Sequence, residues 1–198
     1  MELERAKALA DTLMELMTPY CERIAIAGSI RRCKAEVKDL ELVAIPKWEM
    51  RPDPENLFGE DIAINPLHQW ATSTRRPLQW IKPGTSELLP WKVEAEGRYW
   101  RGLLGKPYTE APLKLDLFLA SERNWGAIYL IRTGSAEFSH AVATHAKKIG
   151  RRFKNGSLTI AGIAVATPEE DDVFRLLGLA AIEPERRTGF ASLRRLNG

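Results

Sequence analysis

Gly28-Ser29-Ile30-Arg31-Arg32, followed after six residues by Asp39-Leu40-Glu41, is the stretch on which the fold turns. Arg23 to Ala27 leads into it as a short apolar strand, and Gly28 at the strand end permits a bend that a side chain would block. Ser29 and the first N–H groups of the following helix would point at one spot, with the positive helix end behind them. Such a spot suits a phosphate, and Arg31 or Arg32 can add a fork of charge-assisted donors. Leu40 to Ile45 reads as a second strand closed by Pro46. Side chains alternate along a strand, so Asp39 and Glu41 project on the same side, one strand step apart.

A third strand, Leu113 to Leu119, turns Leu115, Leu117 and Leu119 one way and Asp116 and Phe118 the other. Asp39 and Glu41 make a divalent-cation site, and Asp116 could bring a third carboxylate to the same face. Three acids can hold two Mg²⁺ ions about 3.5–4 Å apart, which clamp the attacking and leaving oxygens of an in-line phosphoryl displacement. Taken singly, a strand acid usually faces solvent or pairs with arginine, and Gly-Ser before a helix is often only a cap. Packing alone does not explain the combination in this order.

Outward from this segment, residues 2–18 carry apolar side chains at a 3.6-residue period and predict an amphipathic helix stopped by Thr18-Pro19. Residues 47–112 predict a loop, a short helix near Ile62–Thr72 and strands near Leu78–Ile81, Leu88–Val93 and Arg98–Leu104. Trp70, Trp80, Trp91 and Trp100 are interleaved there with Arg75, Arg76, Lys82, Lys92, Arg98 and Arg101. The alternation in Arg98-Tyr99-Trp100-Arg101 favours core packing over stacking on bases. Helices are predicted over Trp125–Arg132 and Glu137–Ile149, a hairpin across Asn155-Gly156, and a last helix from Pro168 through Leu177. His140 and His145, five apart on one helix, do not have metal-ligand spacing.

The 198 residues are 44% apolar and 28% charged, which excludes disorder, collagen and coiled coil. Cys21 and Cys33 lack zinc-site or disulfide-framework spacing, and no apolar run is long enough to span a membrane. With no signal-peptide pattern, the expectation is a cytoplasmic protein. Net charge is +3, but residues 1–110 carry net −1 and residues 111–198 net +4. The excess lies in Lys147, Lys148, Arg151, Arg152 and Lys154 and in Arg186, Arg187, Arg194 and Arg195, a hint of nucleic acid.

In the order Gly28-Ser29 with Arg32, Asp39-x-Glu41 and Asp116, the chain resembles the nucleotidyltransferase superfamily. Its later half narrows the resemblance to family X DNA polymerases of the beta and lambda kind. The narrowing residues are Tyr129 to Ser135 with Phe138, Ala141, His145-Ala146 and Gly150, then Glu170 to Leu179 and Glu183 to Arg187. The resemblance implies an α+β fold: a nucleotidyltransferase-fold palm with a mixed β-sheet and flanking helices over residues 1–122, and a small C-terminal α/β nucleotide-closing subdomain, thumb-like, over residues 123–198. In departure from the family, no lyase or helix-hairpin-helix domain is expected.

The resemblance further implies a monomeric, minimal DNA polymerase of the DNA-repair type, filling gaps on a primer-template from nucleoside triphosphates with two Mg²⁺ ions, or Mn²⁺. Asp39, Glu41 and Asp116 would be catalytic metal ligands, and Gly28, Ser29, Arg32, Arg132, Thr133, Gly134 and Ser139 would bind nucleotide. Lys114, Lys147, Lys148, Arg151, Arg152 and Lys154 would contact DNA. The alternatives are nucleotide transfer to an RNA end, a small molecule or a protein hydroxyl, and template-independent terminal transfer. The chain departs from the polymerase pattern at Glu41, usually Asp, at Ile131-Arg132, usually Tyr-Phe against the sugar, and at Ala143, where the mammalian enzymes carry Arg against the template.

Overall fold

The computed structural model describes the chain except for residues 54–58, 74–77, 82–96, 107, 197 and 198. The predicted strand at Leu88–Val93, and Trp91, Arg75, Arg76, Lys82 and Lys92, lie outside the described residues. In chain order the elements are α1 (Leu3–Met17), β1 (Cys21–Ile26), α2 (Gly28–Arg31), β2 (Asp39–Pro46), β3 (Glu49–Arg51), β4 (Ile62–Ile64), α3 (Pro66–Thr72), β5 (Leu78–Ile81), β6 (Tyr99–Leu104) and β7 (Leu113–Leu119). They continue as α4 (Trp125–Thr133), α5 (Ala136–Lys148), β8 (Arg151–Lys154), β9 (Ser157–Ile160), β10 (Ile163–Ala164) and α6 (Glu170–Leu177). The fold is α+β.

Five strands form a mixed sheet in the order β1-β2-β7-β6-β5, in which β2 and β7 run parallel and the other neighbours antiparallel. One sheet face is the main core. Leu40, Leu42 and Ala44 of β2 and Leu113, Leu115, Leu117 and Leu119 of β7 pack there with Ala6, Ala10, Leu13 and Met17 of α1 and Leu67 and Ala71 of α3. Trp80 and Trp100 meet edge to face at 5.9 Å in this core, and Trp80 Nε1 donates to the Ala71 carbonyl at 2.6 Å. Those two rings are buried and therefore do not stack on bases.

The opposite sheet face changes character along its length. At one end Val43, Ile45 and Phe118, with Ala27, enclose Trp125 of α4. At the other end the same alternation places Asp39, Glu41 and Asp116. The strand period thus produces both the apolar seam and the acidic patch.

A second core lies between α4, α5, α6 and the three-stranded sheet β10-β9-β8, around Leu130, Phe138, Val142, Leu158, Val173 and Phe174. The β8–β9 hairpin turns at Asn155 and Gly156, whose φ angles of 53° and 79° are what a tight hairpin turn requires. Helix α6 begins with a capping box between Glu169 and Asp172 and ends at Gly178 in the left-handed region.

Two expectations change between residues 47 and 72. Ile62-Ala63-Ile64 is not helical: it pairs antiparallel with Glu49-Met50-Arg51 in a two-stranded ribbon. The helix starts only at Pro66, where the Asn65 side chain accepts from the His68 N–H at 3.0 Å.

Candidate functional site

The three acids stand on one sheet face. Glu41 and Asp116 are paired Cα to Cα across the parallel β2–β7 junction, and Asp39 is paired with Lys114. Neither Asp39 nor Glu41 accepts a side-chain hydrogen bond among the described residues. Burial, and then the charges of Asp39 and Asp116, push the Glu41 carboxyl from its ordinary 4.5 up to about 7, with Arg32 and Arg132 pulling weakly the other way. A carboxylate surrounded in this way is short of positive charge.

Asp116 is held differently. In the antiparallel β6–β7 register it faces Arg101 directly. Arg101 Nε donates to Oδ1 at 2.7 Å, Nη2 donates to Oδ2 at 2.9 Å, and the Tyr99 hydroxyl donates to Oδ1 at 2.7 Å. The bond to Asp116 raises the Arg101 pKa; burial and the same carboxylate raise that of Tyr99. Asp116, expected to stand open to a cation, is instead 7% exposed and engaged on both oxygens. Sequence reasoning missed Arg101 because cross-strand register is not written in the local pattern.

The turn expected to bind phosphate is built at the end of β1. Gly28 has a φ of +60°, and the Ala27 N–H donates to the Glu41 carbonyl at 2.8 Å, which ties the bend to β2. Helix α2 is a single turn, so its dipole adds little, contrary to the expectation of a helix end behind the site. Two side-chain groups carry the argument instead: Ser29 Oγ and Arg32 Nε are buried without a hydrogen-bond partner. They adjoin a cavity of about 520 Å³ lined also by Lys38, Asp39 and Glu41. Burial lowers the Arg32 pKa, and Glu41 and Asp39 oppose the effect. A donor taken out of water and left unpaired calls for an acceptor such as a phosphate oxygen.

Arg31, weighed as an alternative phosphate ligand, is committed elsewhere. Its guanidinium forks onto Glu170 at 2.7 Å on both oxygens, donates to Thr133 Oγ1 at 2.7 Å, and lies 3.7 Å from the Tyr129 ring centroid. Arg187, 3% exposed, forks onto the same Glu170 at 2.6 and 3.0 Å. Burial alone would lift the Glu170 pKa, but the Arg31 and Arg187 hydrogen bonds outweigh it and the pKa is lowered. Arg32 Nη1 donates to the Thr133 carbonyl. Both arginines of the turn are therefore anchored at the carboxyl end of α4, and Thr133 is fully buried between them.

The remaining residues expected to bind nucleotide surround this junction. Gly134 caps α4 and packs so tightly on Phe138 that a β-carbon would fall 2.4 Å from that ring. Ser139 donates its hydroxyl to the Ile131 carbonyl at 2.8 Å, leaving it only acceptor capacity. Arg132 is exposed, with its guanidinium carbon 4.0 Å from the Phe118 ring centroid, and Tyr99 stacks on Phe118 at 4.9 Å. Its charge reaches Glu41.

Lys114 is exposed on the acidic face. Lys147, Lys148, Arg152 and Lys154 are exposed, Arg151 is half-buried, and none enters an ion pair among the described residues. His145 Nε2 contacts the Leu177 carbonyl at 2.9 Å, a packing role in keeping with its spacing. No helix among the described residues is long and apolar enough to cross a membrane.

The donor set fits a divalent cation in part. Asp39 and Glu41 offer unpaired oxygens of the hard kind that Mg²⁺ and Mn²⁺ take. Asp116 does not while Arg101 holds it, and among the described residues no three acidic, His or Cys side chains form a ready cage.

Residues 128–188 match the family model described as DNA polymerase beta thumb. The match begins inside α4 and takes in α5, the β8–β10 sheet, α6 and Arg187; Gly28, Ser29, Asp39, Glu41 and Asp116 lie outside it. No curated protein matches the chain.

Proposed function

We propose that the protein is a family X-type DNA polymerase core. It joins the α-phosphate of a nucleoside triphosphate to a primer 3′-hydroxyl with loss of pyrophosphate, filling gaps under template direction. One observation carries this reading: Asp39, Glu41 and Asp116 share a sheet face beside a phosphate turn whose two arginines are anchored in the polymerase beta thumb-like segment. Residues 1–122 are the catalytic palm in this reading, and residues 123–198 the part that closes over the nucleotide.

Ser29 Oγ and Arg32 Nε donate to the β- and γ-phosphate oxygens, which satisfies both buried groups. Asp39, Glu41 and Asp116 would hold the divalent cations, Mg²⁺ or Mn²⁺, which when bound would lower the pKa of the attacking hydroxyl and neutralise the phosphates. Gly28 lets the Glu41 carboxylate lie against the backbone of the phosphate turn, so nucleotide and acid are held in one geometry. Exposed Lys114, in register with Asp39, contacts the primer backbone. Arg132, exposed over Phe118, faces the sugar side of the nucleotide, and buried Thr133 holds the turn from within by accepting from Arg31 and Arg32. Lys147, Lys148, Arg151, Arg152 and Lys154 track duplex phosphates.

Primer extension on a gapped duplex with Mg²⁺ or Mn²⁺ tests this function, comparing the unaltered protein with Asp39→Asn and Asp116→Ala. Templated addition that both substitutions abolish is expected. Addition that ignores the template would replace the reading with terminal transfer. No addition to DNA with either cation would move the activity to an RNA end or a small acceptor.

A further inference from the structure

We propose that Arg101 is a positioning residue that competes with a divalent cation for Asp116, so that the resting protein offers cations only the Asp39–Glu41 half of its acidic face. The inference rests on the reading of that face as a cation site and adds to it a residue that the sequence signature does not contain.

An ionised carboxylate has about four lone-pair directions. On Asp116 three are taken: Oδ1 accepts from Tyr99 and from Arg101 Nε, and Oδ2 accepts from Arg101 Nη2. The arrangement is a bidentate fork, the strongest geometry an arginine makes with an acid. Its neighbour one strand away, Glu41, accepts no side-chain hydrogen bond among the described residues. Two acids paired Cα to Cα thus differ fully in supply: one has a built-in cation, and the other has none.

Burial explains why the guanidinium is there. Asp116 is 7% exposed and shares its surroundings with two further carboxylates, a position in which an unpaired charge is costly. Arg101 relieves that cost in the absence of a metal ion. Its side chain retains 26% exposure, and it reaches Asp116 from the neighbouring strand. The guanidinium can therefore swing out by side-chain rotation without disturbing the β6–β7 ladder. A cation entering at Asp116 finds one lone-pair direction free and gains the rest only by displacing the Arg101 fork, so its apparent affinity there is reduced by the strength of the fork. Tyr99 does not compete in the same way, because a neutral hydroxyl on Oδ1 leaves the carboxylate charge uncompensated.

The test is direct Mn²⁺ binding to the protein without nucleotide or DNA, followed by electron paramagnetic resonance of the free ion. The unaltered protein is expected to bind Mn²⁺ through Asp39 and Glu41, so that Asp39→Asn weakens the binding. Arg101→Met is expected to add a second ion or to tighten binding by about tenfold, and the double variant Arg101→Met with Asp116→Asn to lose the gain. Arg101→Lys, which keeps the charge but cannot fork, is expected to fall between and guards against a variant that fails to fold; circular dichroism melting confirms each fold.

An Arg101→Met gain that persists in the double variant would overturn the proposal, because the added site would not be Asp116. So would unchanged binding in folded Arg101→Met and Arg101→Lys. Absence of Mn²⁺ binding in every variant would remove the cation site itself, and the inference with it. Failure of primer extension with the binding pattern intact would change only the acceptor.

Discussion

The Glu41 carboxylate lies against the α-carbon of Gly28: a β-carbon at position 28 would fall 1.9 Å from Oε2 and 3.0 Å from the Glu41 β-carbon. The φ of +60° adds a backbone cost of about 1 kcal/mol for any L side chain. Because the colliding atoms are chiefly the far end of one side chain, Gly28→Ala is expected to cost only about 1–2 kcal/mol of stability while driving the carboxylate out of place. Chemical denaturation beside primer extension checks this, with activity falling far more than stability.

Glu41 gives the metal-free protein a pH dependence of unusual sign. Its carboxyl binds a proton more tightly in the folded chain, at about 7, than at the ordinary 4.5, so the folded state holds a proton across that window which the unfolded state has released. Stability therefore falls as pH rises from 4.5 to 7, by up to about 1.4 kcal/mol per pH unit. Glu41→Gln is expected to remove this contribution, seen as a flatter difference in melting temperature between pH 5 and pH 8. Mg²⁺ is expected to stabilise the unaltered protein more at pH 8 than at pH 6.

Glu170 behaves in the opposite sense. Its pKa is lowered by Arg31 and Arg187, so its contribution is present above the ordinary carboxylate value and is lost as pH falls through the lowered one. Glu170→Gln leaves two largely buried guanidiniums facing a neutral amide and is expected to cost about 3–5 kcal/mol. Urea denaturation at pH 7 measures the loss, and the gap between the two proteins should narrow as pH falls below the ordinary carboxylate value.

Arg152 and Lys154 are exposed on one strand, a residue apart, so they share a face of β8. Replacing both by Ser is expected to weaken duplex binding without altering sequence preference. The slope of log K against log salt should become shallower by roughly 1.8, the share of two phosphate contacts. Fluorescence anisotropy across a salt series reads it.

The acidic face was legible in sequence because a strand alternates with period two: the leucines between Asp39, Glu41 and Asp116 turn inward and leave the acids no other side. The Asn155-Gly156 turn was legible because few residue pairs accept its dihedral angles. What sequence did not disclose was long-range pairing. Arg101 meets Asp116 only through the β6–β7 register, and Arg31 meets Glu170 across 139 positions of chain. The β3–β4 ribbon escaped because its residues are exposed or half-buried and carry no alternation to betray a strand.

Trp125 closes a cluster whose other buried members, Ala27, Val43, Ile45 and Phe118, belong to segments far earlier in the chain. Neither portion encloses that indole alone. A graft of the later helices onto a foreign catalytic sheet would arrive with a bare indole unless those four partners travelled with it. The two portions are in that sense a single heritable unit, and substitutions drifting on one bank of the seam must be answered on the other.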